Sequence, residues 1–133
     1  MGPLKGDRMY LAIRRYQLIR PEAVDELVRR VMAEPSPTST VAAAPPSDWA
    51  ATEWGFAPLV SRTPGFEAYY LVDAGQGVVL SISAFADRAG AETSTREAAE
   101  WVSGHLADLV QGSPEVLTGE VVGYRTRPEA SLI

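Results

Sequence analysis

The sequence predicts an α+β fold in the order β-α-β-β-α-β, a four-stranded antiparallel sheet with two helices on one face. Three observations carry that expectation. Residues Thr63 to Phe85 read as two strands joined through a Gly-rich turn and entered by a Pro-Gly corner. An amphipathic stripe follows Pro21, and a second follows a Ser-x-x-Glu signal at Ser94.

Taken in order, Tyr10 to Tyr16 form the first strand, with Leu11 and Ile13 on one face and Tyr10, Ala12, Arg14 and Tyr16 on the other. Pro21 opens the first helix, where its missing N–H and fixed φ suit the first position. Val24, Leu27, Val28, Val31 and Met32 make one stripe at helical spacing. Early Glu22, Asp25 and Glu26 and late Arg29 and Arg30 match the helix dipole. A Pro-rich insertion at about 34–48 breaks the pattern, because its prolines can neither continue a helix nor bury much surface. It is either an insertion of little consequence or a lid. Asp48 caps a second helical piece from Trp49 to Arg62, kinked or broken by Pro58. The hairpin then runs Phe66–Asp73 and Val78–Phe85 around Gly75 and Gly77, whose φ can be positive. Asp87 caps a short turn over 88–92, and the capping box Ser94-Thr95-Arg96-Glu97 starts the main second helix. Ala98, Trp101, Val102, His105, Leu106 and Leu109 are its apolar stripe, and Gly112 and Pro114 stop it. A last strand, Val116 to Tyr124, precedes a tail over 125–133. This is the ferredoxin-like arrangement, a single domain over 1–133 with a core at about 9–124 and loose tails at 1–8 and 125–133.

The totals narrow the function classes. A chain of 133 residues, 46% hydrophobic and 22% charged, fits one globular domain. Its net charge of -5, with signs mixed along the chain, argues against nucleic acid. No apolar run approaches the roughly 18 residues that span a bilayer, and residues 1–8 lack a signal-peptide core. No membrane role is expected, and a cytoplasmic location is the default. Absence of cysteine removes disulfides, thiolate metal ligands and a cysteine nucleophile. A single histidine leaves no metal site of the usual His/Cys kind.

The segment 56–66 (Phe-Ala-Pro-Leu-Val-Ser-Arg-Thr-Pro-Gly-Phe), followed by Tyr69-Tyr70-Leu71-Val72-Asp73-Ala74-Gly75, resembles the antibiotic-biosynthesis-monooxygenase-like domains. Phe85-Ala86-Asp87-Arg88 with Ala98-Ala99-Glu100-Trp101-Val102 is similar to their second-helix region, and Gly119-Glu120-Val121 to their last strand. The resemblance covers about 9–124, apart from the Pro-rich segment. It implies a dimeric α+β barrel in which two ferredoxin-like protomers pack sheet against sheet, which agrees with strands apolar on both faces. It also implies a homodimer, no cofactor, and a pocket between sheet and helices for a small aromatic or quinol-like ligand. Family activities are diverse, from cofactor-free oxygenation to haem breakdown, so the likeness speaks first to fold. The haem-degrading members use a histidine, an asparagine and a tryptophan, and this chain has no asparagine.

Three residues are candidates for chemistry. Arg14, a charge in mid-strand, either stabilises a substrate oxyanion or pairs with Glu67 or Glu120 across the sheet. Tyr69 and Tyr70 point to opposite faces, and whichever faces the helices, Tyr70 being the candidate taken, can hydrogen-bond a ligand. His105, one turn beyond Trp101, is either a pocket base or a half-buried residue with a backbone partner. Trp101 is either core or a platform for substrate. The Gly75/Gly77 turn joins strands and opens no helix, so it is not a phosphate loop. Ser81 and Ser83 lack the context of a serine triad. The two readings are a cofactor-independent monooxygenase-like enzyme and a non-catalytic dimeric ligand-binding domain, with Trp49 and Trp54 as cover or partner contact.

Overall fold

A computed structural model of the chain describes residues 8–35, 48–50 and 52–127. The elements are β1 (Tyr10–Leu18), a 3-10 turn (Pro21–Ala23) running into α1 (Val24–Val31), α2 (Phe56–Val60), β2 (Phe66–Gly75), β3 (Val78–Phe85), α3 (Arg88–His105) and β4 (Val110–Glu120). The strands form one antiparallel sheet in the order β2-β3-β1-β4. This is the expected ferredoxin-like α+β topology. Most of the Pro-rich stretch, 36–47, lies outside the described residues.

The alternation in β1 is decided by burial. Ala12, Arg14, Tyr16 and Leu18 are buried beneath the helices, together with Val79, Ser81, Ser83 and Phe85 of β3. Residues of opposite parity form the other sheet face, where Leu11, Ile13, Leu80 and Ile82 are half-buried. Tyr70, Val72 and Leu117 of that face are 58%, 38% and 60% exposed. The core lies wholly on the helix side, centred on Leu27, Val31, Phe56, Leu59, Phe85 and Trp101.

Several expected boundaries move. In α1 the buried edge is Ala23, Leu27 and Val31, while Val28 and Met32 of the predicted stripe face outward. The predicted helix over 49–62 shrinks to α2, with Gly55 as its extended N-cap. Pro58 therefore sits in the first turn, where its absent N–H costs no hydrogen bond, and it kinks nothing. The capping box at Ser94 does not form. Asp87 caps one continuous α3, its Oδ1 accepting from the Gly90 N–H at 2.8 Å. Ser94 lies buried inside that helix and donates to the Ala91 carbonyl.

Gly112 and Pro114 do not end a helix either. They lie inside β4, which begins at Val110. Pairing with β1 runs from Arg15↔Glu115 to Gln17↔Gln111, leaving Gly112, Ser113 and Pro114 opposite Tyr16 as a bulge. A bulge is where a strand tolerates proline. The strand stops at Glu120, so Val122 and Tyr124, expected within it, are exposed beyond its end. In the hairpin the positive φ expected at Gly75 and Gly77 is observed, but β2 runs two residues past Asp73 to Gly75, so the turn tightens to Gln76-Gly77 and Gln76 also takes positive φ.

Candidate active site

Arg14 is the polar centre of the helix side. Its side chain is 2% exposed, and Nη2 donates to Ser81 Oγ and Ser83 Oγ, each at 3.2 Å. Ser81 Oγ is in turn 2.9 Å from the Tyr69 hydroxyl. Nε and Nη1 are buried with no partner at hydrogen-bonding geometry, although the Tyr16 hydroxyl lies close enough to feel Arg14 as a neighbouring donor. No carboxylate pairs with the guanidinium among the described residues. The expected ion pair with Glu67 or Glu120 is thus replaced by two hydroxyl contacts. Register explains it: Glu120 faces Tyr10 on β4 and accepts from Arg8 at 2.8 Å, while β3 separates Glu67 from Arg14.

A positive charge removed from water without a counter-charge is expensive, by several kcal/mol as an order of magnitude. Here it opens onto a cavity of about 20 Å³ lined by Arg14, Tyr16, Phe56, Tyr69, Ser81 and Trp101, among others. That volume holds about one water molecule. Phe56 is the aromatic side chain set against the guanidinium. Its ring lies 5.3 Å from the Arg14 guanidinium carbon, 5.6 Å from Tyr69 and 6.1 Å from Trp101. Burial pushes the Tyr69 hydroxyl up to about 12, against the lowering effects of Ser81 and Arg14. Burial likewise raises Tyr16, again opposed by Arg14. Both tyrosines therefore act as neutral hydrogen-bonding groups and not as phenolate bases.

A covering segment over 49–50 and 52–56 closes this side of the core. Trp49 packs edge-on against Phe56, and the Trp54 carbonyl accepts from Trp101 Nε1 at 2.9 Å. A Cβ on Gly104 would collide with the Ala50 carbonyl, so glycine is what lets the segment lie directly on α3. Trp49 and Trp54 are both buried, hence part of the cover and not a free contact surface. His105 belongs to the same seam. Nδ1 lies 2.8 Å from the Trp101 carbonyl and Nε2 2.6 Å from the Thr52 carbonyl, with the ring stacked on Trp101 at 4.3 Å.

The three sequence candidates are therefore not brought together. Arg14 is at the cavity, whereas His105 is engaged by backbone carbonyls away from its lining. Tyr70 lies on the opposite sheet face, and Tyr69 is the tyrosine beside Arg14. Trp101 is core and cavity wall at once. Tyr69 is thus the alternative of the tyrosine pair that faces the helices, whereas Phe56, Ser81 and Ser83 are not singled out as site residues by the sequence. One signal was available for the serines: both occupy inward positions of an otherwise apolar strand, where a polar group needs a partner.

No protein-family model matches the sequence, and no curated protein does. Solved structures share its fold. The NE2512 protein of unknown function from Nitrosomonas europaea superposes with a TM-score of 0.61 at 15% identity, over 93% of this chain and 99% of that one. A monooxygenase from the gene ActVA-Orf6 of Streptomyces coelicolor, in complex with Nanaomycin D, gives 0.60 at 12% identity, over 92% and 95%. An anthrone oxidase-like protein gives 0.51 at 14% identity, over 92% of this chain and 48% of that one. The chain has a ferredoxin-like α+β fold. More particularly, it is the fold of the antibiotic-biosynthesis-monooxygenase-like proteins, shared at low sequence identity.

Proposed function

We propose that this is a single-domain, cytoplasmic, homodimeric protein of the monooxygenase-like type that binds a small ionisable aromatic, with the ligand's oxyanion against Arg14. The observation that carries it is a buried guanidinium with no carboxylate and two nitrogens left without partners at a cavity. An anion there removes the charge penalty and satisfies both nitrogens. Tyr69, Ser81 and Ser83 fix the guanidinium in place, and the aromatic wall of Phe56 and Trp101 keeps the anion's surroundings dry. Stabilising the anion lowers the substrate's pKa, so an anthrone-type carbon acid loses its proton to solvent. The resulting anion is electron-rich enough to reduce oxygen itself. In the overall change a CH₂ group and O₂ become a ketone C=O and H₂O, the four electrons lost by carbon being taken up by O₂.

The cavity volume of about 20 Å³ favours a second reading, a dimeric domain that binds a ligand without turnover, since the space at Arg14 holds an oxygen-sized group and no ring. Oxygen uptake with anthrone- and naphthol-type substrates separates the two. Turnover lost in Arg14→Met supports the enzyme, whereas Arg14-dependent binding without uptake supports the binding domain. Unchanged binding in that variant overturns both. Replacing a buried charged group by a hydrophobic one of similar volume is often neutral or stabilising, so Arg14→Met is expected to hold or raise its melting temperature while losing ligand.

A further inference from the structure

We propose that the open groove between α3 and the β4 bulge is the subsite for the aromatic rings, reached from the Arg14 cavity past Tyr16 and Val102. The inference rests on Arg14 as the anion site and says where the rest of the ligand goes.

The cavity at Arg14 has room for an oxygen-sized group and little else. A groove of about 330 Å³ lies beside it, lined by Tyr16, Ala99, Val102, Val110 and Pro114, among others. That volume is within the range of small-molecule pockets, about 300 to 1,000 Å³. Tyr16 and Val102 line both spaces, so these two side chains are the partition between them. The groove owes its shape to the bulge, because Gly112, Ser113 and Pro114 bow away from Tyr16 instead of pairing with it. Among the described residues no charged one lines it, which suits hydrocarbon rings.

A third space of about 300 Å³, between α2 and β2, also adjoins the Arg14 cavity through Tyr69. It is the poorer candidate. Glu34 and Arg62 line it, and Tyr69 is tied to Ser81. The ligand class is therefore a flat, apolar ring system with its acidic oxygen at one end. The anion passes Tyr16 and Val102 to the two unpartnered guanidinium nitrogens, and the rings stay in the groove. In this arrangement Val102 sets how wide a ligand can be where it crosses the partition.

The test is binding of 1-hydroxy-2-naphthoate, whose carboxylate is ionised at neutral pH, followed by its fluorescence anisotropy with the full chain. Ala99 is exposed, so Ala99→Trp fills the groove from its rim without touching the core. It is expected to weaken binding about ten-fold or more, roughly 1.4 kcal/mol. Ser61→Trp, which fills the third space, should stay within about two-fold of the unmodified chain. Val102→Ala trims the partition and should strengthen binding. Arg14→Met should abolish it. If Arg14→Met abolishes binding but Ala99→Trp and Val102→Ala change nothing, the groove is not the ring subsite, although the anion site stands. Weakening by Ser61→Trp alone moves the rings to the third space and equally overturns the inference. Unchanged binding in Arg14→Met removes the anion site and the inference with it.

Discussion

Glu97 and Arg14 show how burial acts on a charge that the fold leaves without a counter-charge. Oε1 of Glu97 is buried without a partner, and burial raises the carboxyl above its ordinary value; Arg96 opposes the shift and Glu100 adds to it. A folded value above the unfolded one favours the protonated form. The associated stability is fully present below the unfolded value and is lost as pH rises through the folded one. Glu97→Gln is therefore expected to be more stable than the unmodified chain at pH 7, by roughly 0.5 kcal/mol after solvent screening. The gap should close toward about pH 3, below the ordinary carboxyl value, where Glu97 is protonated in both states. Urea melts at the two pH values check this, and a less stable variant at pH 7 would expose a partner for the carboxylate. At this scale the sequence was partly legible. Arg14 stood out as a charge on the same strand face as Ala12 and Tyr16. A period of two shows which residues share a face but not which face the helices cover. That is why Tyr70 was taken where Tyr69 belongs. The role of His105 turns on the Thr52 carbonyl, a long-range contact that periodicity cannot reveal.

Among the elements, those whose ends are set by neighbouring residues were readable. The β2–β3 hairpin carries its turn chemistry in Gly75, Gln76 and Gly77, and the charges of α1 follow its dipole. Elements whose ends depend on a distant partner were not. The β4 bulge exists because of how the strand pairs with β1, so Gly112 and Pro114 looked like a helix stop. In α3 two cap signals compete, Asp87 and Ser94, and local sequence alone does not choose between them. The structure places the start at Asp87, with Ser94 turned inward. Asp87→Ala should consequently cost about 1 kcal/mol, seen as a lower urea midpoint with an unchanged slope. No loss at Asp87 would return the start of the helix to Ser94.

For the molecule as a whole, one sheet face is covered and the other is not. The apolar character of both strand faces was legible, and the open face bears it out with Tyr70, Val72 and Leu117 exposed beside Leu11, Ile13, Leu80 and Ile82. A contiguous apolar surface of this kind marks an association site. A second copy, packed sheet to sheet, is the proposed occupant. Light scattering at micromolar concentration should give twice the chain mass of 14.3 kDa, and Leu117→Glu, at an exposed position, should reduce it to that of one chain. A monomeric unmodified chain would refute the dimer while leaving the Arg14 site untouched.

The covering segment has an optical consequence. All three tryptophans of the chain, Trp49, Trp54 and Trp101, are buried along its seam with α3, and none lies on the open sheet face. Intrinsic emission is thus a local gauge. It should be nearly silent when two copies associate, yet shift to the red whenever the segment lifts and Phe56 withdraws from Arg14. A ligand seated through the groove should leave that colour unchanged, so a shift on adding ligand would mark entry beneath the segment instead, without any label.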